Sequence, residues 1–113
     1  MILKNITEML KGILEGCVLE IIGQAPTYGY EITQKLKASG FEDILEGTVY
    51  TITVRLEKQQ LVDVERQNSS SGPPRKLFKL NKAGQAKRRE FWDSFYFITE
   101  KCDELYKKGR DLI

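Results

Sequence analysis

The chain contains no histidine. That removes the side chain that most often serves as a general base near neutral pH and most often ligates a transition metal. It has only two cysteines, Cys17 and Cys102. They are too far apart in sequence for a metal or redox motif, so both are expected to pack as small apolar residues. No apolar run approaches the ~20 residues of a membrane-spanning helix; the longest, Cys17 to Ile22, is interrupted by Glu20. The opening MILKNITEML lacks the basic, apolar and small-residue series of a signal peptide. There is no glycine-rich phosphate loop and no carboxylate pair on one helix face, so nothing supplies a nucleophile with its base. The expectation is a soluble cytoplasmic protein that is not an enzyme, needs no cofactor and has no membrane partner.

What is present is one domain's worth of chain: 113 residues, 30% charged and 41% hydrophobic. Such a length buries about two-thirds of its unfolded surface. The net charge is only +2, but it is unevenly spread. Residues 1–46 carry four basic and seven acidic side chains; residues 47–89 carry ten basic and three acidic; residues 90–113 carry four basic and six acidic. A basic block flanked by acidic segments points to a polyanion partner, although a solvated basic surface would look the same.

Helical spacing of Ile6, Met9, Leu10, Ile13, Leu14, Cys17, Val18 and Ile21 predicts a first, deeply placed helix. Asn5 and Glu8 form its capping box, and Gly23 and Pro26 stop it. Thr27 is expected to cap a second helix from Tyr28 to about Ser39, with Ile32 and Leu36 inward and Gly40 at its end. FEDIL then links to EGTVYTITVRLEKQQLV at 46–62, whose Val49, Ile52 and Leu56 form an apolar face. The opposite face offers Gly47, Tyr50, Thr51, Val54 and Lys58 in place of the usual run of charges. After Gln60 the period changes to two, predicting a strand from Leu61 to Gln67. NSSSGPP at 68–74 reads as a long flexible tip, and RKLFKL at 75–80 as the returning strand.

Asn81 caps a last helix in which Phe91, Phe95, Ile98, Cys102 and Leu105 recur at intervals of four, three, four and three. Trp92, Tyr96, Thr99 and Tyr106 flank the seam. From Lys82 to Lys108 it would be ~40 Å long, longer than the rest of the fold is wide, with Gly109 at its fraying end. A seam of this length needs a partner surface, and the simplest is the same helix of a second chain. Cys102 becomes a candidate redox switch only if it lies near the dimer axis.

Three helices followed by a two-stranded hairpin is the order of a winged helix-turn-helix. The expected fold is therefore mainly α with a small β-hairpin. Residues 1–80 form the DNA-binding domain, with the wing at 61–80, and residues 81–113 form the dimerisation helix. In such a design the third helix enters the major groove. This accounts for its second face. Gly47 permits close approach, Thr48 and Thr51 reach phosphates or bases, Tyr50 reaches a phosphate, Val54 a thymine methyl, and Arg55 and Lys58 supply charge. Arg75, Lys76 and Arg66 would serve the wing. Singly, each of these residues is as much a surface residue as a contact; it is their arrangement that points to DNA.

TYGYEITQKL at 27–36, EGTVYTITVRLEKQQLV at 46–62 and SGPPRKLFKLNKAGQ at 71–85 resemble, in order and spacing, the PadR-type transcriptional regulators with a short tail. The resemblance spans about residues 8 to 90. It implies a homodimeric repressor that binds a palindromic operator on double-stranded DNA and releases it on a small-molecule or other signal. Carried onto this chain, it implies DNA contact by Tyr28, Thr48, Tyr50, Thr51 and Arg75, with Lys76 adjacent. Tyr28 and Tyr30 can equally be packing residues. Val54 stands directly before Arg55, where many members of that family carry a basic residue. Some members also stack planar aromatic compounds between their tail helices. Phe91, Trp92, Phe95, Tyr96 and Phe97 lie in that region, so a planar aromatic effector is a candidate partner, and a plain dimer core is the alternative. A different class stays open: a coiled-coil dimer whose head binds protein without DNA. The two separate on salt, since phosphate contacts weaken steeply with ionic strength.

Overall fold

The computed structural model describes residues 6–69 and 72–112. It contains α1 (Ile6–Leu10), α2 (Leu14–Gln24), β1 (Thr27–Tyr28), α3 (Gly29–Ala38), α4 (Glu46–Lys58), β2 (Val62–Ser69), β3 (Gly72–Leu80) and α5 (Lys82–Asp111). The predicted class holds: mainly helical, with a small antiparallel sheet and a long last helix.

Several boundaries differ from expectation, each for a local reason. The first helix is two. The chain turns over Lys11, Gly12 and Ile13 before α2 begins, and Gly12 has open space around it. The Asn5 cap lies outside the described residues. Gly23 does not stop α2, which runs to Gln24. The stop falls at Ala25, which is extended at φ −167° and ψ 151°, as the residue before a proline must be. Thr27 is not a cap. It is 1% exposed and pairs with Phe78, while Tyr28 pairs with Leu77. The cap of α3 is the Glu31 carboxylate, which accepts from the Tyr28 amide at 3.0 Å. The wing is therefore part of a three-stranded sheet in the order β1-β3-β2.

The tip also differs. Gln67 pairs with Arg75 and Ser69 with Gly72. The strands thus continue into the Ser/Gly/Pro segment, and Asn68 on one strand faces Pro73 and Pro74 on the other. That mismatch is a bulge, the place in a sheet where prolines without an amide proton are tolerated.

The core is a single cluster in which α2, α3, α4 and the sheet meet. Val18, Ile32, Leu36, Val49 and Leu56 are each at most 2% exposed. Truncating a residue such as Leu56 to alanine would cost about 2–5 kcal/mol. α4 starts with Glu46 in its first turn and ends with Arg55 and Lys58 in its last, matching charge to the helix dipole. Its end is closed by Gln60 at φ 59° and by the Leu61 amide donating to the Leu56 carbonyl at 3.0 Å. Asn81 then does two jobs. Its Oδ1 accepts from the Gly84 amide at 2.8 Å, capping α5, while its Nδ2 donates to the Gln60 carbonyl at 2.7 Å. The end of α4 and the start of α5 are thereby tied together. A Cβ on Gly84 would come within 2.1 Å of the Leu61 carbonyl oxygen, so only glycine fits this junction.

α5 has 30 residues, ~45 Å at 1.5 Å each, and passes through Gly109 instead of ending there. Its first half lies along α2 and its second half extends beyond the head, giving a molecule of 63 × 32 × 20 Å.

Candidate nucleic-acid interface

The predicted apolar face of α4 is buried as expected, joined by Thr53, whose hydroxyl donates to the Tyr50 carbonyl at 2.9 Å. The opposite face is exposed over Glu46, Gly47, Thr48, Tyr50, Thr51, Arg55 and Lys58. Tyr50 is 65% exposed. Thr51 donates its hydroxyl to the Gly47 carbonyl at 3.0 Å, which leaves its oxygen lone pairs outward. Gly47 has nothing within contact of its missing Cβ, so a flat surface can approach there.

Two residues are placed less freely than the sequence suggested. Arg55 leans across to Glu15 of α2 at 3.5 Å. Val54 is half-buried and lines a cleft of about 280 Å³ between α3, α4 and the wing, shared with Tyr28, Tyr30, Tyr50, Arg75 and Lys76. The wing side of this cleft is bound to the helices. Lys76 Nζ lies 3.5 Å from Glu57 of α4, so part of its charge is answered within the chain. The Tyr28 hydroxyl is hydrogen-bonded to Gln67 Oε1 of β2. The Tyr28 and Tyr30 rings lie 6.2 Å apart and nearly parallel, and the Arg75 guanidinium is 5.9 Å from each centroid. Arg66, exposed on β2, pairs across the sheet with Lys76. Arg75 and Tyr50 thus share one cleft, while Thr48, Thr51 and Arg55 line a second one on the α1 side of the same helix.

The tail divides in two. Phe91 sits on α2 where Gly16 leaves room, since a Cβ there would be 2.2 Å from the ring. Arg88 covers Gly23 in the same way. Between these glycines stands Glu20. Its carboxylate accepts two bonds from Arg88 (2.9 and 2.8 Å), one from Trp92 Nε1 (2.8 Å) and one from Gln24 (3.0 Å). The Arg88 bonds above all, with those from Gln24 and Trp92, outweigh partial burial and hold Glu20 at a pKa of about 2. Burial, with Glu20 nearby, pushes the Cys17 thiol upward, in keeping with an apolar packing role. Phe91, Trp92, Phe95 and Tyr96 form a continuous run of ring contacts with centroids 5.0–6.0 Å apart. Of the predicted seam, Phe91, Trp92 and Phe95 are half-buried, and the first two dock within their own chain. Tyr96, Ile98, Cys102 and Leu105 are exposed, with Leu105 at 70%.

Sequence reasoning overlooked Glu20 and Arg88. The available signal was the charge that interrupts the apolar run Cys17–Ile22, which needs a partner wherever its helix is packed. Gln67 carried no signal, because its role depends on a strand pairing that includes β1.

Three helices, a wing packed beside the third, and a free polar face on that helix define a winged helix-turn-helix protein. Residues 18–90 match the profile of the transcriptional regulator PadR-like family. A transcriptional regulator from Streptococcus is 41% identical, with a TM-score of 0.77 over 87% of this chain and 96% of that one. A PadR-like transcriptional regulator from Bacillus cereus is 38% identical, at 0.76 over 87% and 95%. A PadR-like transcription factor from Bacteroides fragilis is 33% identical, at 0.75 over 88% and 95%. The chain belongs to the PadR-like family of transcriptional regulators, whose fold supports a DNA-binding regulator and which is not a family of enzymes. Among the described residues no helix is long and apolar enough to cross a membrane.

Proposed function

We propose that the protein is a cytoplasmic repressor that binds a palindromic operator as a homodimer joined through α5. α4 reads one half-site in the major groove through Thr48, Tyr50, Thr51 and Lys58, with Val54 and Arg55 at its margins. Arg75 of the wing follows the backbone into the adjacent minor groove. The observation that carries this reading is the exposed face of α4, whose Tyr50 edge shares a cleft with Arg75 of the wing. The exposed stripe Ile98, Leu105 and Tyr106 on the free half of α5 supports the dimer, because a monomer gains nothing from an apolar seam held in water. Half-sites one turn apart are ~34 Å centre to centre, a separation that two heads joined by long helices can span.

Release follows if a planar aromatic effector inserts at Phe95 and Tyr96 and binds most tightly to a dimer whose spacing misfits DNA; equal affinity for both states would shift nothing. The test is a titration of the purified protein with the duplex upstream of its own gene and with random duplex, at several salt concentrations. The expected result is preference for the upstream duplex and a steep loss of affinity with salt. Equal, salt-insensitive binding would rule the reading out in favour of a coiled-coil dimer whose head binds protein, and a monomer at working concentration would rule out both.

A further inference from the structure

Tyr28 lies in the cleft beside α4, yet its hydroxyl is already engaged by Gln67. Its position is fixed from three sides. The Tyr28 amide donates to Glu31 at 3.0 Å at the start of α3. Its backbone pairs with Leu77 of β3. Its ring, with that of Tyr30, supports the Arg75 guanidinium at 5.9 Å. Tyr28 therefore touches both strands of the wing from the residue directly before α3: β2 through Gln67 and β3 through Leu77 and Arg75.

We propose that Tyr28 is a positioning residue that holds the wing and aims Arg75, so that the selectivity contributed by Arg75 depends on the Tyr28 hydroxyl even though Tyr28 itself does not contact DNA. Two features of the geometry carry this. The two tyrosine centroids and the guanidinium carbon form a nearly equilateral triangle, with sides of 6.2, 5.9 and 5.9 Å. A cation on ring faces is attracted there while its N–H groups stay free at the edge. Gln67 and Arg75 are also cross-strand partners, directly before the bulge at Pro73 and Pro74. The Tyr28–Gln67 bond thus fixes the sheet at the last regular pair before the tip. An arginine held in one geometry loses less freedom when it enters a narrow minor groove.

This inference rests on the DNA-binding reading above, and the experiment separates the two. Full-length wild type, Tyr28→Phe, Gln67→Ala, Arg75→Ala and the double variant Tyr28→Phe/Arg75→Ala would each select from a randomised duplex pool. Each would then be titrated against the wild-type consensus duplex. Tyr28→Phe keeps the ring, and Gln67→Ala alters only the wing, so at least one of the two retains the fold. The expected result is that both lose base preference at the positions flanking the core motif, as Arg75→Ala does, while the core motif read by α4 is unchanged. Tyr28→Phe should bind about 3–10-fold more weakly, the scale of one hydrogen bond, and the double variant no more weakly than Arg75→Ala alone. A wild-type flank preference in Tyr28→Phe and Gln67→Ala, or multiplicative losses in the double variant, would overturn the proposal. Failure of the wild type to select any motif would overturn the DNA-binding reading itself.

Discussion

Replacing Glu20 with glutamine removes the charge at the junction of α2 and α5 but keeps its shape. The carboxylate receives a paired bond from Arg88 and one from the Trp92 indole, and its side chain is 24% exposed. Its folded pKa of about 2 lies roughly two units below the ~4.3 of a free glutamate, and each unit corresponds to ~1.4 kcal/mol. Solvent access screens part of this, so a contribution of about 1–2 kcal/mol is the reasonable scale. The sign follows from linkage. A carboxylate whose pKa is depressed on folding stabilises the fold fully above the unfolded value. That stability fades as pH falls from about 5 toward 2. Trp92 is the chain's one tryptophan and sits in the contact, so its fluorescence reports unfolding directly. Urea transitions of wild type and Glu20→Gln, at equal protein concentration, should differ by about 1–2 kcal/mol at pH 7 and converge toward pH 2. The other carboxylates titrate in both proteins and cancel in the difference. A gap that stays constant between pH 7 and pH 2 would refute the reasoning, because the loss would then have come from packing and not from the charge.

Gly16→Ala places a methyl group 2.2 Å from the Phe91 ring. It should cost about 1–3 kcal/mol of overpacking, against a helix-propensity gain of ~1 kcal/mol, whereas Gly109→Ala in open helix should only gain; thermal melts of the pair check this. Arg75→Ala should flatten the log–log dependence of DNA affinity on salt by ~0.9 for each phosphate left unneutralised. Glu57→Gln should do the reverse, tightening binding by freeing Lys76 from its 3.5 Å partner. Leu105→Glu, 70% exposed within the chain, should leave the melting profile of the head intact while shifting sedimentation from dimer to monomer.

Much of this architecture was legible in the sequence because the periodicities are strong and local. Val49, Ile52 and Leu56 announce one face of α4, and the change of period at Leu61 announces the wing. Asn81 announces the start of α5, and its Oδ1 makes the cap bond to Gly84. The misses were non-local. Thr27 has an ordinary capping preference, but here it is overruled by pairing with Phe78, 51 positions away in the numbering. Gly23 has the signature of a helix stop, yet the helix continues because Arg88 from α5 covers it and Pro26 sets the end. Tyr28 and Arg75 could be named as candidate DNA contacts, but the bond from the Tyr28 hydroxyl to Gln67 is set by tertiary register alone.

The last helix is seated in its own head only as far as the contacts of Phe91, Trp92 and their neighbours. Beyond Trp92 about 28 Å of rod, 19 residues at 1.5 Å, runs free to Asp111. A pivot of one degree at the seat sweeps the far end through roughly 0.5 Å. Any tilt forced by a methyl group added near Gly16 is therefore carried outward, its displacement growing in proportion to the distance from the seat. The reach of the molecule can be retuned by small substitutions at the root of the lever, with the outer end left untouched.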